Sequence, residues 1–433
     1  KTPVQGMVAK LPVRHGQTNT ASIMTHGFNP DLASWSPFHG AQFAILLSVA
    51  KGVAIGARRQ DMYLTLQEYF ESLRQNPHAW GKPTAALLGA YHAQKELSIA
   101  AIGGKDSMSG TFMDLTVPPS LVSFAVATAP VDRIISPDLK GVGHRLILLK
   151  LPRTFDEAPD WRAFKANCDL LQEEINEGRV YSAYTIDEGG LAEAITKMAL
   201  GNRIGVKIDD YAGTSLFDAN LGSFLFEVDI TAVNHLLEKE GTQVIGVTQE
   251  EPVIQWKDQV ISLDQAQAAY EGTLQHIFPL EATSTKEACP LPLYEQTSVP
   301  ILGPKSLEGA KPKVLIPVFP GTNCEYDSAR AFERAGAQTD ILVIRNQSIA
   351  DLEESIQVIK SKLEASQILF FPGGFSAGDE PDGSGKFMAT LFRNPYLTEA
   401  LEDLLYQRDG LALGICNGFQ ALIKLGLLPG GHV

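Results

Sequence analysis

Leu411–Leu428 reads LALGICNGFQALIKLGLL, and it constrains the fold more than any other stretch. The apolar run Leu411–Ile415 predicts a buried strand, and the apolar period after it predicts a helix from about Asn417 to Leu428. Between them lies Gly414-Ile415-Cys416-Asn417-Gly418. A strand, a tight turn and a helix with a nucleophile at the apex form a nucleophile elbow, here with Cys in place of Ser. Such a turn leaves little room for side chains, hence the glycines. The sulfur then sits at a helix N-terminus, where the dipole favours negative charge. The N–H of Asn417 is placed to meet an oxyanion on a substrate carbonyl. Taken alone, Cys416 fits a cysteine packed inside a sheet equally well.

The chain around it is more specific. Lys313–Phe319 predicts a strand, followed by a turn at Pro320–Glu325 and a helix to about Ala335. Asp340–Ile344 predicts a second strand, Ile349–Leu363 an amphipathic helix, and Gln367–Phe371 a third strand ending at Pro372-Gly373-Gly374-Phe375. A further helix covers about Leu397–Gln407. Alternating strands and helices imply a parallel sheet covered on both faces, with sites at the strand C-terminal ends. Gly321–Glu325, Gly373–Phe375 and Cys416 all fall there.

VFPGTNCEYD, FFPGGFSAGD and GICNGFQAL together resemble the class I glutamine amidotransferase domain, in the form found in the phosphoribosylformylglycinamidine synthase family. That resemblance implies a flavodoxin-like glutaminase domain over 312–433. It makes Cys416 the nucleophile that forms a glutamyl thioester. Gly373 and Gly374 would form the oxyanion loop with Asn417, Gln420 would hold the glutamine, and the ammonia released would pass to a synthetase site. It also implies a general-base His and an orienting Glu downstream of the elbow helix. His432 is a poor substitute, since a helix of about twelve residues puts it roughly 18 Å from the sulfur. The glutaminase domain is therefore expected to be truncated as given. The start at Lys1, without Met, is expected to mark a cut at the other end too.

At 433 residues the chain should hold about three domains of roughly 100–200 residues each. In the first, 1–140, Gly6–Val13, Thr20–Gly27, Ile99–Ile102 and Leu121–Ala127 predict strands. Ala41–Ile55, Thr65–Ser72 and Pro83–Leu97 predict helices. Its distinctive feature is the loop Gly103-Gly104-Lys105-Asp106-Ser107-Met108-Ser109-Gly110. A glycine pair followed by Lys, Asp and two Ser suits a phosphate or a metal–phosphate, although a plain connecting loop has the same look. The spacing is not that of a Walker A motif.

The second domain, 141–280, predicts strands at His144–Leu151, Ile204–Ile208, Leu221–Ile230 and Gln243–Thr248. Helices are predicted at Phe164–Asn176, Gly189–Leu200 and Ala232–Glu240. Residues 281–311 contain four prolines and no period, as a linker does. The fold class is thus α/β and α+β multidomain.

GGKDSMSG, with LPVR, HGFNP, WSPFHGA and QEYFE before it, resembles the second synthetase-like half of the same family, which belongs to the aminoimidazole-ribonucleotide-synthetase-like superfamily. The resemblance implies an N-terminal-type domain over 1–140, a C-terminal-type domain over 141–280, and a pseudo-symmetric nucleotide site matched by Lys105, Asp106 and Ser107. It also implies a metal-binding Glu and Asn on the first long helix, where this chain has Leu47 and Lys51. An acidic turn appears as Thr185-Ile186-Asp187-Glu188-Gly189-Gly190. Leu and Lys cannot ligate Mg²⁺, which takes oxygen. That site is expected to be degenerate, with the Lys51 ammonium in place of a metal's charge, and no metal ligands are assigned.

A net charge of −14 argues against nucleic acid and against an anionic membrane surface. Four scattered cysteines without CxxC, and no apolar run of 18 or more residues, point to a reduced, cytoplasmic protein. No histidine pair has ligand spacing; His39 alone stays a candidate. By resemblance the whole enzyme would convert formylglycinamide ribonucleotide, glutamine and ATP, with Mg²⁺, to the amidine, glutamate, ADP and phosphate. This chain would contribute a scaffold half and most of the glutaminase, and the N-terminal synthetase half would be its missing partner. Two other readings remain. One is a Cys-elbow hydrolase or chaperone-like protein without ammonia transfer, and the other a non-catalytic scaffold.

Overall fold

The structure is a computed structural model. It describes residues 2–13, 16–209, 215–279, 311–375 and 385–433. The region read as a linker, 281–311, lies almost wholly outside the described residues. The chain divides into two units, Lys1–Ser284 and Thr285–Val433.

The first unit is organised around the helix Pro37–Ile55. Ser36 caps it by accepting from the His39 N–H, and Pro37 occupies its first turn, where a missing N–H costs nothing. It is apolar all round and buried from Gly40 to Ile55. By length and hydropathy it could cross a membrane, but it is buried inside the protein. A helix with no polar face needs cover on every side, and two sheets and the helix Pro77–Leu97 supply it. One is five-stranded, in the order Gly6–Lys10, Thr20–Gly27, Ser120–Pro130, Tyr63–Tyr69, Ala101–Lys105. The other is seven-stranded, in the order Gln259–Ser262, Val253–Trp256, Gly205–Ile208, Thr242–Gln249, Arg145–Leu149, Phe224–Val228, Val180–Thr185. Ile45, Leu46 and Val49 share one core with Ile23 and Ala125 of the first sheet and Ile147, Phe224 and Phe226 of the second.

Thr65–Ser72 is not a helix. Tyr63–Tyr69 is a strand paired with Ser120–Pro130 on one side and Ala101–Lys105 on the other. Leu, Gln and Glu favour helix, but Leu64 and Glu68 are buried while Tyr63 and Tyr69 are exposed, as a pleat requires. Among the described residues the outer face of this sheet is left exposed. Met7, Met24, Val126 and Tyr63 stand side by side in cross-strand register. Met7, Met24 and Tyr63 are 54%, 41% and 53% exposed, and Phe124 in the next row is 40% exposed.

The second unit is a parallel sheet in the order Gln338–Val343, Lys313–Val318, Ile368–Phe371, Leu411–Gly414. The two central strands, Lys313–Val318 and Ile368–Phe371, bury both faces, which is why they read as continuous apolar runs, whereas Leu411–Gly414, expected to be buried, lies at the edge with Leu411 and Leu413 exposed. Val314, Ile316 and Phe370 pack with the helix Glu325–Arg334 on one side. Leu315, Leu369 and Phe371 pack on the other with Ile349–Glu364, Lys386–Phe392, Pro395–Glu402 and the elbow helix Asn417–Leu425. Leu397–Gln407 is helical in two pieces, since Asp403–Gln407 continues Pro395–Glu402 as a wider turn.

Candidate functional site: a cysteine elbow above the parallel sheet

Three loops meet at the C-terminal ends of Lys313–Val318, Ile368–Phe371 and Leu411–Gly414. The last of these is the sheet edge. After Gly414 the chain makes one more bond to the sheet, from the Ile415 N–H to the Phe371 carbonyl at 3.1 Å, and then turns. Cys416 sits at the apex with φ 53° and ψ −109°, a conformation that non-glycine residues rarely adopt. It is exposed and directly precedes the helix Asn417–Leu425.

The glycines around it answer to close approach. A Cβ on Gly418 would lie 2.1 Å from the Phe371 carbonyl oxygen, so the helix rests directly on the neighbouring strand. A Cβ on Gly414 would lie 2.5 Å from the Gly418 carbonyl oxygen. The first turn closes by Gly418 N–H to Ile415 O at 2.9 Å and Gln420 N–H to Cys416 O at 3.1 Å.

Gly373 and Gly374 face the elbow from the end of the third strand. Gly374 has φ 122°, and its position is set by the loop after the first strand: Thr322 bridges to Gly374, and the Phe375 N–H donates to Gly321 O at 2.8 Å. A Cβ on Gly373 would touch Cys416 Cβ at 3.4 Å and Cys324 Sγ at 3.6 Å. The loop, the elbow and a second cysteine therefore share one small space. Asn417 is 4% exposed, and its Nδ2 donates to Gln420 Oε1 at 3.2 Å. Gln420 is exposed one turn into the helix, on the side of Cys416. The structure thus brings Cys416, Gly373, Gly374, Asn417 and Gln420 together. Cys324 is the residue that sequence reasoning passed over, although it lies inside PGTNCE, a segment already placed at a strand C-terminal end.

In the first unit Lys105 and Asp106 are exposed at the end of Ala101–Lys105, and Ser107 is half-buried. Gly104 has φ 157° because a Cβ there would lie 2.2 Å from the Leu66 carbonyl oxygen. Ser107 is fixed by its N–H to Glu68 O at 3.1 Å and its Oγ to Ser109 Oγ at 2.8 Å. Burial, reinforced by the charge of Asp106, raises the Glu68 carboxyl above its ordinary range. Glu68 Oε1 is buried without a hydrogen-bond partner in the structure.

The acidic turn lies elsewhere. Lys51, 6% exposed on the central helix, places Nζ 2.8 Å from Asp187 Oδ2. Leu47, one turn earlier, is fully buried. The ammonium stands where a divalent cation on Asp187 would have to sit, so these residues do not fit Mg²⁺. Among the described residues no group of three or more His, Cys, Asp or Glu is arranged to hold a metal. His39 is structural: Nδ1 pairs with Ser36 Oγ at 2.8 Å and Nε2 with Asp156 O at 3.0 Å.

Comparison with known proteins bears on the second unit first. Residues 311–433 match the CobB/CobQ-like glutamine amidotransferase domain. Residues 311–433 are a glutamine amidotransferase domain. The phosphoribosylformylglycinamidine synthase subunit PurQ of Dehalococcoides mccartyi is 42% identical over 121 residues, 28% of this chain and 43% of that protein. The probable chloroplastic/mitochondrial phosphoribosylformylglycinamidine synthase of Arabidopsis thaliana is 27% identical over 401 residues, 80% of this chain and 28% of that protein. The chain thus spans less than half the length of either relative. The solved PurLQS of Thermotoga maritima aligns at TM-score 0.48 and 14% identity, covering 57% of this chain and 44% of that chain. In the amidotransferase domain the family match and the elbow geometry fall on the same residues.

Proposed function

We propose that this chain is the C-terminal portion of a phosphoribosylformylglycinamidine synthase, a glutamine-hydrolysing ligase of purine biosynthesis. The observation that carries the reading is Cys416, strained at the head of the elbow helix and facing Gly373 and Gly374. Cys416 Sγ attacks the glutamine carboxamide carbon. The oxyanion is held by the N–H groups of Gly374 and Asn417, while Gln420 holds the glutamine. The C–N bond breaks, ammonia leaves, and water hydrolyses the thioester to glutamate. The ammonia then aminates formylglycinamide ribonucleotide at a synthetase site that uses ATP.

In this reading the two sheets of the first unit are an N-terminal-type domain, 1–140, and a C-terminal-type domain, 141–280. Together they form a scaffold half whose pseudo-site, at Lys105, Asp106 and Ser107, does not depend on a metal at Asp187. The outer sheet face at Met7, Met24, Tyr63 and Phe124 receives the N-terminal synthetase half, which carries the ATP chemistry. The setting is the cytoplasm, although the plant relative is named for organelles. Cys416→Ala tests the whole. In the complete enzyme it abolishes glutamine-dependent synthesis and leaves ammonia-dependent synthesis intact. Loss of both would sink the division of labour between two sites.

A further inference from the structure

The site holds two exposed cysteines, and only one has a role in glutamine hydrolysis. Cys416 heads the helix Asn417–Leu425 and Cys324 heads the helix Glu325–Arg334, and more than ninety residues separate them in the chain. The bridge from Thr322 to Gly374 brings them to the same place. The point where a methyl on Gly373 would sit is 3.4 Å from Cys416 Cβ and 3.6 Å from Cys324 Sγ. Glycine leaves that point, which the Ile415 carbonyl oxygen also borders at 3.5 Å, free of a side chain from residue 373. A third described cysteine, Cys168, is 1% exposed in the first unit, and burial pushes its thiol far up. Buried, neutral thiols are inert, whereas exposed ones are open to attack by reagents from solvent.

We propose that Cys416 and Cys324 are a peroxide-sensitive thiol pair that closes to a disulfide. Cys416 thiolate attacks one peroxide oxygen. The O–O bond breaks, the distal oxygen leaves as hydroxide and is protonated to water, and Cys416 becomes a sulfenic acid. Cys324 thiolate then attacks that sulfur. The S–S bond forms, the S–O bond breaks, and a second hydroxide leaves as water. The two sulfurs give two electrons to one peroxide. The disulfide ties up Sγ of Cys416 and holds the Gly321–Glu325 loop down on the oxyanion loop. A dithiol reverses it. Closure of the pair stands on geometry alone; its meaning as a shut glutaminase rests on the function proposed above.

The test is mass spectrometry of the full chain treated with hydrogen peroxide, alkylated before unfolding, with dimedone present to trap sulfenic acid. The wild type gives a Cys324–Cys416 linked peptide that dithiothreitol removes, with Cys168 unmodified. Cys324→Ser gives no linked peptide, and its Cys416 appears as the dimedone adduct instead. Gly373→Ala, which puts a methyl 3.6 Å from Cys324 Sγ and 3.4 Å from Cys416 Cβ, lowers the yield of linked peptide. Equal dimedone trapping of Cys416 in wild type and Cys324→Ser overturns the proposal, as does a linkage of Cys416 to Cys289. Since the readout is a peptide and not a rate, absence of glutaminase activity would not affect it.

Discussion

Gly418→Ala tests whether close contact between helix and strand sets the position of the nucleophile. The new Cβ would meet the Phe371 carbonyl oxygen at 2.1 Å, against an ordinary contact of 3.4 Å or more. Both partners are backbone, so no side chain can swing aside, and the elbow helix must retreat by about 1 Å. A misplacement of that size at a reacting centre costs about 100-fold in rate, or about 2.7 kcal/mol of barrier. Overpacking should also cost about 1–3 kcal/mol of stability in this unit. The assay is the rate of Cys416 alkylation by a diazoketone analogue of glutamine, measured well below the melting temperature of the variant. Gly81→Ala is the control, because a Cβ there meets nothing within 4 Å in the interior of the helix Pro77–Leu97. It should gain about 0.5–1 kcal/mol and leave alkylation unchanged. If Gly418→Ala melts earlier but alkylates within about threefold of wild type, the contact matters for stability alone and the positioning argument fails.

Other outcomes follow from the first unit. Lys51→Met leaves Asp187 without its cation and should cost about 2–3 kcal/mol in thermal or urea unfolding; a fully sealed pair would cost more, and Asp187 keeps partial access to water. Asp187→Asn should cost more than Lys51→Met, since Lys51 is the more deeply buried partner; the reverse order would count against that ranking. Glu68 has its pKa raised on folding, so its contribution to stability is complete below the unfolded value and is lost as pH rises through the folded one. Glu68→Gln should therefore raise the melting temperature at neutral pH and change it little under acidic conditions; equal shifts at both would refute this. Phe124→Arg should leave the melting temperature nearly unchanged while abolishing co-purification with the N-terminal synthetase half, and intact co-purification would remove that face from the interface.

Much of the second unit was legible because its periods are clean. Ile349–Glu364 shows its helical stripe, and Leu411–Gly414 passes into Asn417–Leu425 across glycines as read, although the strand is not buried: it lies at the sheet edge, with Leu411 and Leu413 exposed. Thr20–Gly27 is found at the residues its pattern predicts. Tyr63–Tyr69 misled because its side chains favour helix locally, while pairing to strands on both sides decides its state. Val180–Thr185 and Lys386–Phe392 went unread; the first carries buried Ser182 and Thr185, which blur an apolar run. The order of strands in the first sheet has no local signature, since its central strand comes from residues 120–130. The meeting of Cys324 with Cys416 was hidden for the same reason, because a backbone bridge between Thr322 and Gly374, residues far apart in the chain, creates it. The Lys51 ammonium was read as standing in for a metal's charge, but its 2.8 Å contact with Asp187, far away in the chain, is made by the fold and has no local signature.

The sheet order in the first unit also imposes a schedule on synthesis. The helix Pro37–Ile55 leaves the ribosome with one sheet neighbour, Thr20–Gly27, already made. The strand that completes its cover on that side, Ser120–Pro130, ends roughly 75 residues later, and Phe224–Val228 of the other sheet follows later still. At about 5–20 residues per second the growing chain exposes this nineteen-residue, largely apolar segment for about 4–15 s before the first sheet can close. The same burial that makes this helix the centre of the folded unit makes it a chaperone-binding segment during translation. The yield of soluble protein should then depend on elongation speed between codons 55 and 130 more than on the melting temperature of the finished unit.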